Sequence, residues 1–434
     1  MDRLRICLLA ALATISVLGR QAPAAEDSEA RIRAVEKQLN TLSTELAELK
    51  AERTAPPAAE PPVSPDPEPA PGSTPSPFPE WVNRFKFSGD FRYRNEWTDD
   101  DAQVTERDRH RIHLRLGVSA MVNEELDAVV RLASGNNAAP VTREEAGSPT
   151  STNQDLDDAF SRKNIWLDLA HLDYHPANVK GLDLLAGKMK NPFFTPGRSD
   201  LLLDRDVTPE GGALTYRTEF HDTLTLFGSA GGFWVEERAT SADTSLWAVQ
   251  AGVTVPVPLI QGASVTVGGG YYDYANVRGK SALGVTNSFF GNRSIGGAYA
   301  GDFDIWQGFA EIGVPVHGIP CAVFGDVLKN VSADSPQDDG YYVGCTVGKC
   351  DKPGSWEFAY NYRDLEADAV LAVLTEATFA GGGTNVRGHV FSLGYQWLKG
   401  LQFVASYMPA ERTNTSTGVT TDHDTVLLDV IARF

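Results

Sequence analysis

The sequence has no long apolar run. A helix needs about 18 or more consecutive apolar residues to cross a membrane, and no stretch of the 434 residues reaches that length. A helical membrane protein is therefore excluded. A membrane-spanning β-barrel is not excluded, because its strands alternate apolar with polar residues and so dilute the hydropathy of every segment.

Basic residues are scarce relative to acidic ones. The chain has 38 Lys and Arg against 57 Asp and Glu, which gives a formal net charge of −19. Nucleic-acid binding needs a basic surface that neutralises phosphates. We therefore expect no nucleic-acid partner.

Cysteine is also rare. There are four cysteines, and because Cys7 lies in the leader, only Cys321, Cys345 and Cys350 remain, too few for a disulfide framework. A hairpin loop centred between residues 331 and 340 would place Cys321 opposite Cys350, and a disulfide between them is one expectation for an exported chain. A Cys345–Cys350 disulfide and three free thiols are the alternatives.

Motifs for catalysis and metal binding are missing. No G-x-S-x-G sequence occurs. His171 and His175 have the spacing of metal ligands on a helix, but they lie on a predicted strand that ends at Pro176, where this spacing does not bring them together. We expect no catalytic residue, no metal site and no cofactor, and therefore no enzyme.

What the sequence does contain begins with a leader and a heptad pattern. Residues 1–25 have a basic start, a short apolar centre and small residues at the exit, which together predict a secretory signal peptide. Residues 26–53 predict a coiled-coil helix with apolar positions spaced 3, 4, 3, 4 and 3 apart: Ile32, Val35, Leu39, Leu42, Leu46 and Leu49.

About three heptads are marginal for an isolated helix. We therefore expect the helix to pair with copies of itself, or else to lie on a neighbouring surface. Residues 54–80 contain eleven prolines and predict an extended, semi-rigid linker.

From residue 81 to residue 434 the apolar period changes to two. Phe85, Phe87 and Phe91 alternate with charged residues such as Lys86 and Arg92, as expected for a strand between lipid and water. The pattern recurs to the end of the chain and predicts an all-β, antiparallel transmembrane barrel of sixteen strands. The predicted strands are 84–97, 109–121, 125–134, 162–174, 181–189, 212–220, 223–235, 245–256, 262–274, 303–314, 319–329, 340–350, 354–364, 386–397, 400–408 and 424–434.

The last predicted strand ends in an aromatic residue. Val426, Leu428, Val430, Ala432 and Phe434 share one face. An apolar alternation that closes on a C-terminal Phe resembles the assembly signal of outer-membrane barrels. We therefore expect Phe434 to act as that signal and the barrel-assembly machinery to be a partner.

Several stretches resemble the bacterial family of putative porins from Gram-negative outer membranes. The matching stretches are Gly187–Phe193, Leu201–Gly212, Gly354–Tyr360, Glu366–Val370, Gly381–Asn385 and Arg387–His389.

The resemblance implies a sixteen-stranded, trimeric diffusion pore for small hydrophilic solutes and ions, surrounded by outer-membrane lipid. The coiled coil would then lie in the periplasm. The alternatives are a tether, in which the coiled coil binds peptidoglycan and the barrel only anchors it, and a barrel enzyme, for which the sequence offers no motif.

In general porins the third outer loop folds inward and narrows the channel. The third predicted loop here is 190–211, and its acids would face basic side chains on the inner wall. We expect a transverse field between the two, which would orient dipolar solutes. The expected constriction residues are Arg92, Arg94, Arg111, Arg115, Arg131, Asp204, Asp206 and Glu210.

Overall fold

A computed structural model describes residues 80–136, 147–220, 224–284 and 288–434. The predicted signal peptide, coiled coil and all but the last residue of the Pro-rich linker lie outside the described residues. Among the described residues, the helices are short 3-10 turns, and none is long and apolar enough to cross a membrane.

The described chain forms one large antiparallel sheet with sixteen long strands, as predicted. One further strand of that sheet, Gln154–Asp155, has two residues, and another two-residue pair lies in a loop. The long strands are β1 Phe85–Asp100, β2 Arg107–Asn123, β3 Leu126–Ser134, β4 Ile165–Tyr174, β5 Leu182–Lys188, β6 Glu210–Phe220, β7 Leu224–Glu236, β8 Thr244–Pro256, β9 Ser264–Ala275, β10 Phe303–Val316, β11 Ile319–Asn330, β12 Asp339–Gly348, β13 Trp356–Leu365, β14 Val386–Leu398, β15 Leu401–Thr413 and β16 Thr420–Arg433.

The sheet closes on itself. Each strand pairs with its neighbours along the chain, and β1 pairs with β16, with Phe91 opposite Ala432 and Tyr93 opposite Val430. A closed barrel leaves no unpaired strand edge, which a lipid environment requires.

Strand positions match the prediction most closely where one face meets lipid. At the outer ends, β15 and β16 extend further than predicted, through residues such as Glu411, Arg412 and Thr420. Both faces of a strand are polar where it rises above the membrane, so the alternation that marks a strand disappears there.

Aromatic side chains form two bands on the outside of the barrel. Members at the long-loop end include Trp234, Trp247, Trp306 and Tyr341, and members at the short-turn end include Phe220, Trp356, Trp397, Phe403 and Phe434, all exposed. Such bands are typical of barrels at the two membrane–water interfaces.

The hydrophobic core lies inside the barrel and is built by three outer loops. These are the third loop (189–209), the fifth loop (276–302, apart from 285–287) and the seventh loop (366–385). They pack against inward-facing side chains such as Tyr272, Phe324 and Leu365. The core therefore fills one side of the lumen.

Of the three alternatives for the cysteines, the Cys321–Cys350 pairing is wrong. The register places Cys321 opposite Val347 and Cys345 opposite Val323, so opposed residue numbers sum to 321 + 347 = 668, whereas a Cys321–Cys350 pair needs 671. The sixth loop (331–338) is centred nearer to β11 than expected, and Cys350 lies beyond the end of β12. All three cysteines are free thiols.

Candidate functional site

The third loop turns into the lumen as soon as it leaves β5. The hydroxyl of Ser229 on β7 donates to the carbonyl of Pro192 at 2.7 Å. The side chain of Gln250 on β8 then binds both sides of Phe194, accepting from its amide at 2.7 Å and donating to its carbonyl at 2.9 Å. These bonds hold the start of the loop against the inner wall.

The middle of the loop crosses to the far side of the barrel. The amide of Gly197 donates to Glu311 on β10 at 2.8 Å, and its carbonyl accepts from the hydroxyl of Tyr342 on β12 at 2.9 Å. Gly197 has φ +54°, and a Cβ there would lie 2.2 Å from the ring of Phe324. Only glycine fits both the backbone conformation and the close approach to the wall.

Arg198 completes this contact. Its guanidinium donates two parallel hydrogen bonds to the carboxylate of Glu357 on β13, at 2.8 and 3.0 Å. A two-bond pair of this kind fixes orientation as well as distance.

On its way back to the wall at β6, the third loop contacts first the seventh loop and then the second loop. The amide of Asp204 donates to the carbonyl of Leu374 at 2.8 Å, and the Asp204 carboxyl accepts from the amide of Ala377 at 3.3 Å. The Asp206 carboxylate accepts from the amide of Thr152 at 3.2 Å and lies 3.5 Å from Arg115 on β2. The loop is thus bonded to the wall and to other loops along its length.

Three leucines hold the returning segment in place. Leu201, Leu202 and Leu203 are buried in the core shared with the fifth and seventh loops. Fully burying a leucine stabilises a fold by about 1.5–3 kcal/mol. The position of the loop therefore rests on packing as well as on hydrogen bonds.

A polar passage remains between the third loop and the wall formed by β12–β16 and β1. Its cavity volume is ≈ 320 Å³. Its charged lining residues are Arg92, Arg94, Arg198, Asp200, Asp204, Arg205, Asp206, Glu357, Arg363, Glu376, Asp429 and Arg433.

Five of the six lining carboxylates have an arginine partner. The pairs are Arg94–Asp429 at 2.7 Å, Arg198–Glu357 at 2.8 Å, Arg205–Asp200 at 3.0 Å, Arg115–Asp206 at 3.5 Å and Arg363–Glu376 at 3.6 Å. The sixth, Asp204, accepts hydrogen bonds from the backbone amides of Asp206 and Ala377.

The two central loop acids differ in their charge. Burial raises the pKa of the Asp204 carboxyl to about 9, with the charges of Asp200, Asp206 and Glu376 adding to the effect. Burial also opposes ionisation of Asp206, but the charges of Arg115 and His113 outweigh it and lower the pKa. At neutral pH Asp204 is therefore neutral and Asp206 is negative.

Four of the eight expected constriction residues line this passage: Arg92, Arg94, Asp204 and Asp206. Arg115 contacts Asp206 from the wall. The other three are placed elsewhere.

Arg111 lies higher, in the outer vestibule, where it binds Asp155 at 2.6 Å and Glu96 at 3.1 Å. Arg131 binds Asp168 on β4. Glu210 points out of the barrel, on the same face as the exposed Leu214, and binds Lys188 at 2.7 Å.

Eight charged lining residues are not in the expected constriction set: Arg198, Asp200, Arg205, Glu357, Arg363, Glu376, Asp429 and Arg433. Alternation within β13 and β16 carries a signal for four of them, since Glu357, Arg363, Asp429 and Arg433 all take inward positions. No local sequence pattern predicts that Glu376 lines the passage, because only the folded seventh loop brings it close to Arg363.

One acidic group in the described part of the chain has metal-ligand spacing. Carboxylate oxygens of Asp338, Asp339 and Glu366 lie within 4.8 Å of one another at the outer rim. Lys329 already binds Asp338 at 2.7 Å and Asp339 at 3.0 Å, which compensates much of their charge.

The chain matches one protein-family model and several solved structures. The model, described as "Putative porin", matches residues 100–289 and 318–434. The high-pH structure of OprB from Pseudomonas putida is 11% identical, with a TM-score of 0.53 and coverage of 82% of this chain and 96% of that one. Salmonella typhi OmpF, in complex with daunomycin, is 14% identical, with a TM-score of 0.46 and coverage of 81% and 97%. No curated protein sequence matches the chain.

Proposed function

The chain belongs to the family of putative porins and is a porin-like channel, and we propose that small hydrophilic solutes and ions diffuse passively through it across the bacterial outer membrane. The observation that carries this proposal is the polar passage left beside the third loop, lined by twelve charged side chains. Diffusion through such a lumen needs no bound cofactor and no catalytic group.

The passage beside the third loop is proposed as the constriction. Arg92 and Arg94 on β1 form part of one side, and Asp204 and Asp206 on the loop form part of the other. Charge fixed on opposite sides of a narrow, low-dielectric passage focuses the field and selects solutes by size and charge. Arg111, Arg131 and Glu210 are left out of this proposal because their ionic partners hold them elsewhere.

A homotrimer in outer-membrane lipid is the proposed assembly. β3, β4 and β5 are among the shortest strands of the barrel wall, with 9, 10 and 7 residues, and exposed Val130, Leu132 and Leu167 lie on their outer face. An apolar wall of short strands is a suitable surface against a second copy, and the predicted heptads of residues 26–53 offer a further pairing surface.

The N-terminal segments complete the proposal. Residues 1–25 are removed on export, residues 26–53 form the coiled coil in the periplasm, and residues 54–80 separate it from the barrel. The barrel-assembly machinery recognises the terminal strand, and peptidoglycan is a candidate partner of the coiled coil. N-terminal sequencing of the mature protein tests the first point, and Met1 at its start would contradict it.

Recordings from purified protein in planar lipid bilayers test the proposed function. We expect discrete, ohmic current steps in potassium chloride. Absence of current steps together with tight binding to isolated peptidoglycan would favour the tether instead. Absence of current steps together with hydrolytic activity would favour a barrel enzyme.

A further inference from the structure

Two arginines in the passage have no carboxylate partner among the described residues. Of the six lining arginines, Arg94, Arg198, Arg205 and Arg363 each bind an acid, which leaves Arg92 and Arg433. Five of the six lining acids are bound to arginines. The charges left uncompensated are therefore positive.

Neutral amide groups hold both arginines in place. Arg92 donates to the side-chain oxygen of Asn153 at 2.7 Å, and its Nε is buried without a hydrogen-bond partner. Arg433 donates to the side-chain oxygen of Gln402 at 2.8 Å. An amide oxygen orients a guanidinium but leaves its charge intact, so both side chains are positioned and still positive.

The two arginines are neighbours on the inner wall. Arg92 on β1 lies opposite Ile431 on β16, and Arg433 is two residues further along the same inward face. Such diagonal positions lie about 7–8 Å apart in an antiparallel pair. The acid opposite Arg433 is Asp90, which is already bound by Arg115 at 3.0 Å and by His113 at 2.6 Å.

The route to this pair also has excess positive charge. Arg107, Arg109 and Arg111 alternate along β2 in the outer vestibule and share two acids, Glu96 and Asp155. Three arginines against two carboxylates leave one positive charge at the entrance. An anion that passes this cluster therefore meets a local excess of positive charge before it reaches Arg92 and Arg433.

We infer that Arg92 and Arg433 form a subsite for small anions, and that the channel prefers anions to cations although the chain as a whole is strongly acidic. The inference rests on the proposed function, since it concerns solutes inside the same passage. Chloride, inorganic phosphate and small carboxylates share the required chemistry, which is a compact negative charge with oxygen or halide acceptors.

Two kinds of substitution test the subsite. Arg92→Gln and Arg433→Gln remove the charges. Asn153→Asp and Gln402→Glu keep the arginines and place a carboxylate at hydrogen-bond distance from each, with almost no change in shape. Arg387→Gln is the matched control, because Arg387 binds Glu411 on the outside of the barrel.

The readout is the chloride-to-potassium permeability ratio from reversal potentials in a potassium chloride gradient, with inorganic phosphate added as a competing anion. We expect the wild-type ratio to exceed one and phosphate to reduce the chloride current. Each double variant should lower the ratio roughly twofold or more toward one, and Arg92→Lys with Arg433→Lys should retain it. Arg387→Gln should leave the ratio unchanged.

The outcomes separate this inference from the proposed function. A wild-type channel that conducts with a ratio of one or below, or a ratio that the amide-to-acid variants leave unchanged, would overturn the subsite and keep the pore. Absence of any conductance would overturn both. If the arginine variants fail to fold, the near-isosteric Asn153→Asp and Gln402→Glu variants decide the question.

Discussion

Arg198 on the third loop and Glu357 on β13 form a two-bond ion pair across the lumen, with distances of 2.8 and 3.0 Å. The loop leaves the wall at β5 and rejoins it at β6, so this pair ties its middle to the opposite side of the barrel. The third loop is therefore fixed at both sides of the lumen.

Breaking the Arg198–Glu357 pair should loosen the loop without unfolding the barrel. The Arg198 side chain is 62% exposed, and exposed ion pairs contribute only about 0–1 kcal/mol to the free energy of unfolding. We expect Arg198→Gln to increase open-channel current noise while the melting temperature stays nearly unchanged. Arg387→Gln breaks an exposed pair outside the lumen, and equal noise in that variant would contradict the assignment.

The anion preference should depend on pH through Asp204. Its pKa of about 9 makes the carboxyl neutral at pH 7 and negative above pH 9. Burial holds this pKa high, and the charges of Asp200 and Asp206 on the same loop and of Glu376 on the seventh loop add to the effect. We expect the chloride-to-potassium permeability ratio to fall as pH rises from 7 to 10.

Asp204→Asn is the matched control for this effect, because it resembles the neutral carboxyl. It should leave the ratio at pH 7 unchanged and remove its fall between pH 8 and 10. A fall of the same size in Asp204→Asn would assign the pH dependence to another group.

The terminal Phe434 closes the barrel seam. Its backbone exchanges two hydrogen bonds with Gly89 on β1, at 2.8 and 3.0 Å, and a Cβ on residue 89 would lie 2.4 Å from its ring. Deletion of Phe434 should therefore lower the yield of folded barrel in outer-membrane fractions several-fold, because seam bonds and the lipid-facing ring are lost together. Phe434→Trp should preserve most of the yield, and a normal yield from the deletion would refute the role of the terminal residue.

The sequence predicted the barrel well because lipid imposes a period-two pattern on every strand. Phe85, Phe87 and Phe91 on β1 show that pattern without any tertiary information. Prediction was weaker where lipid no longer imposes this pattern. β15 and β16 continue beyond the last alternating residues. The predicted register of β11 and β12 was shifted by three residues, which placed Cys350 instead of Val347 opposite Cys321.

The site was only partly accessible to sequence reasoning. The alternation of apolar and polar residues correctly predicted that the side chains of Arg92 and Arg94 point into the barrel. The order of the loops along the chain correctly predicted that the third loop folds into the lumen. Charge alone, however, did not show that Asp204 is buried and neutral, or that Glu210 points outward to Lys188. Partner choice depends on how loops fold over one another, as Glu376 and Arg363 illustrate, and no local pattern encodes it.

The proposed coiled coil is tested by removing residues 26–53. If the heptads pair copies of the chain, the shortened protein should dissociate to monomers at lower detergent concentration or temperature in native mass measurements, while single-channel conductance stays the same. A shortened trimer as stable as the full-length one would leave the barrel wall as the pairing surface. Monomers alone from the full-length protein would contradict the trimer itself.

The most direct test of the account is the single-channel conductance of a loop-shortened barrel. Residues 197–206 are replaced by two glycines, which removes the Glu357 and Asp206 contacts and keeps the anchor at Phe194. If the third loop sets the narrowest point, the conductance in 1 M potassium chloride should rise about twofold or more, and the chloride-to-potassium permeability ratio should approach one. A correctly folded variant with the conductance of the intact protein would show that the third loop does not form the constriction.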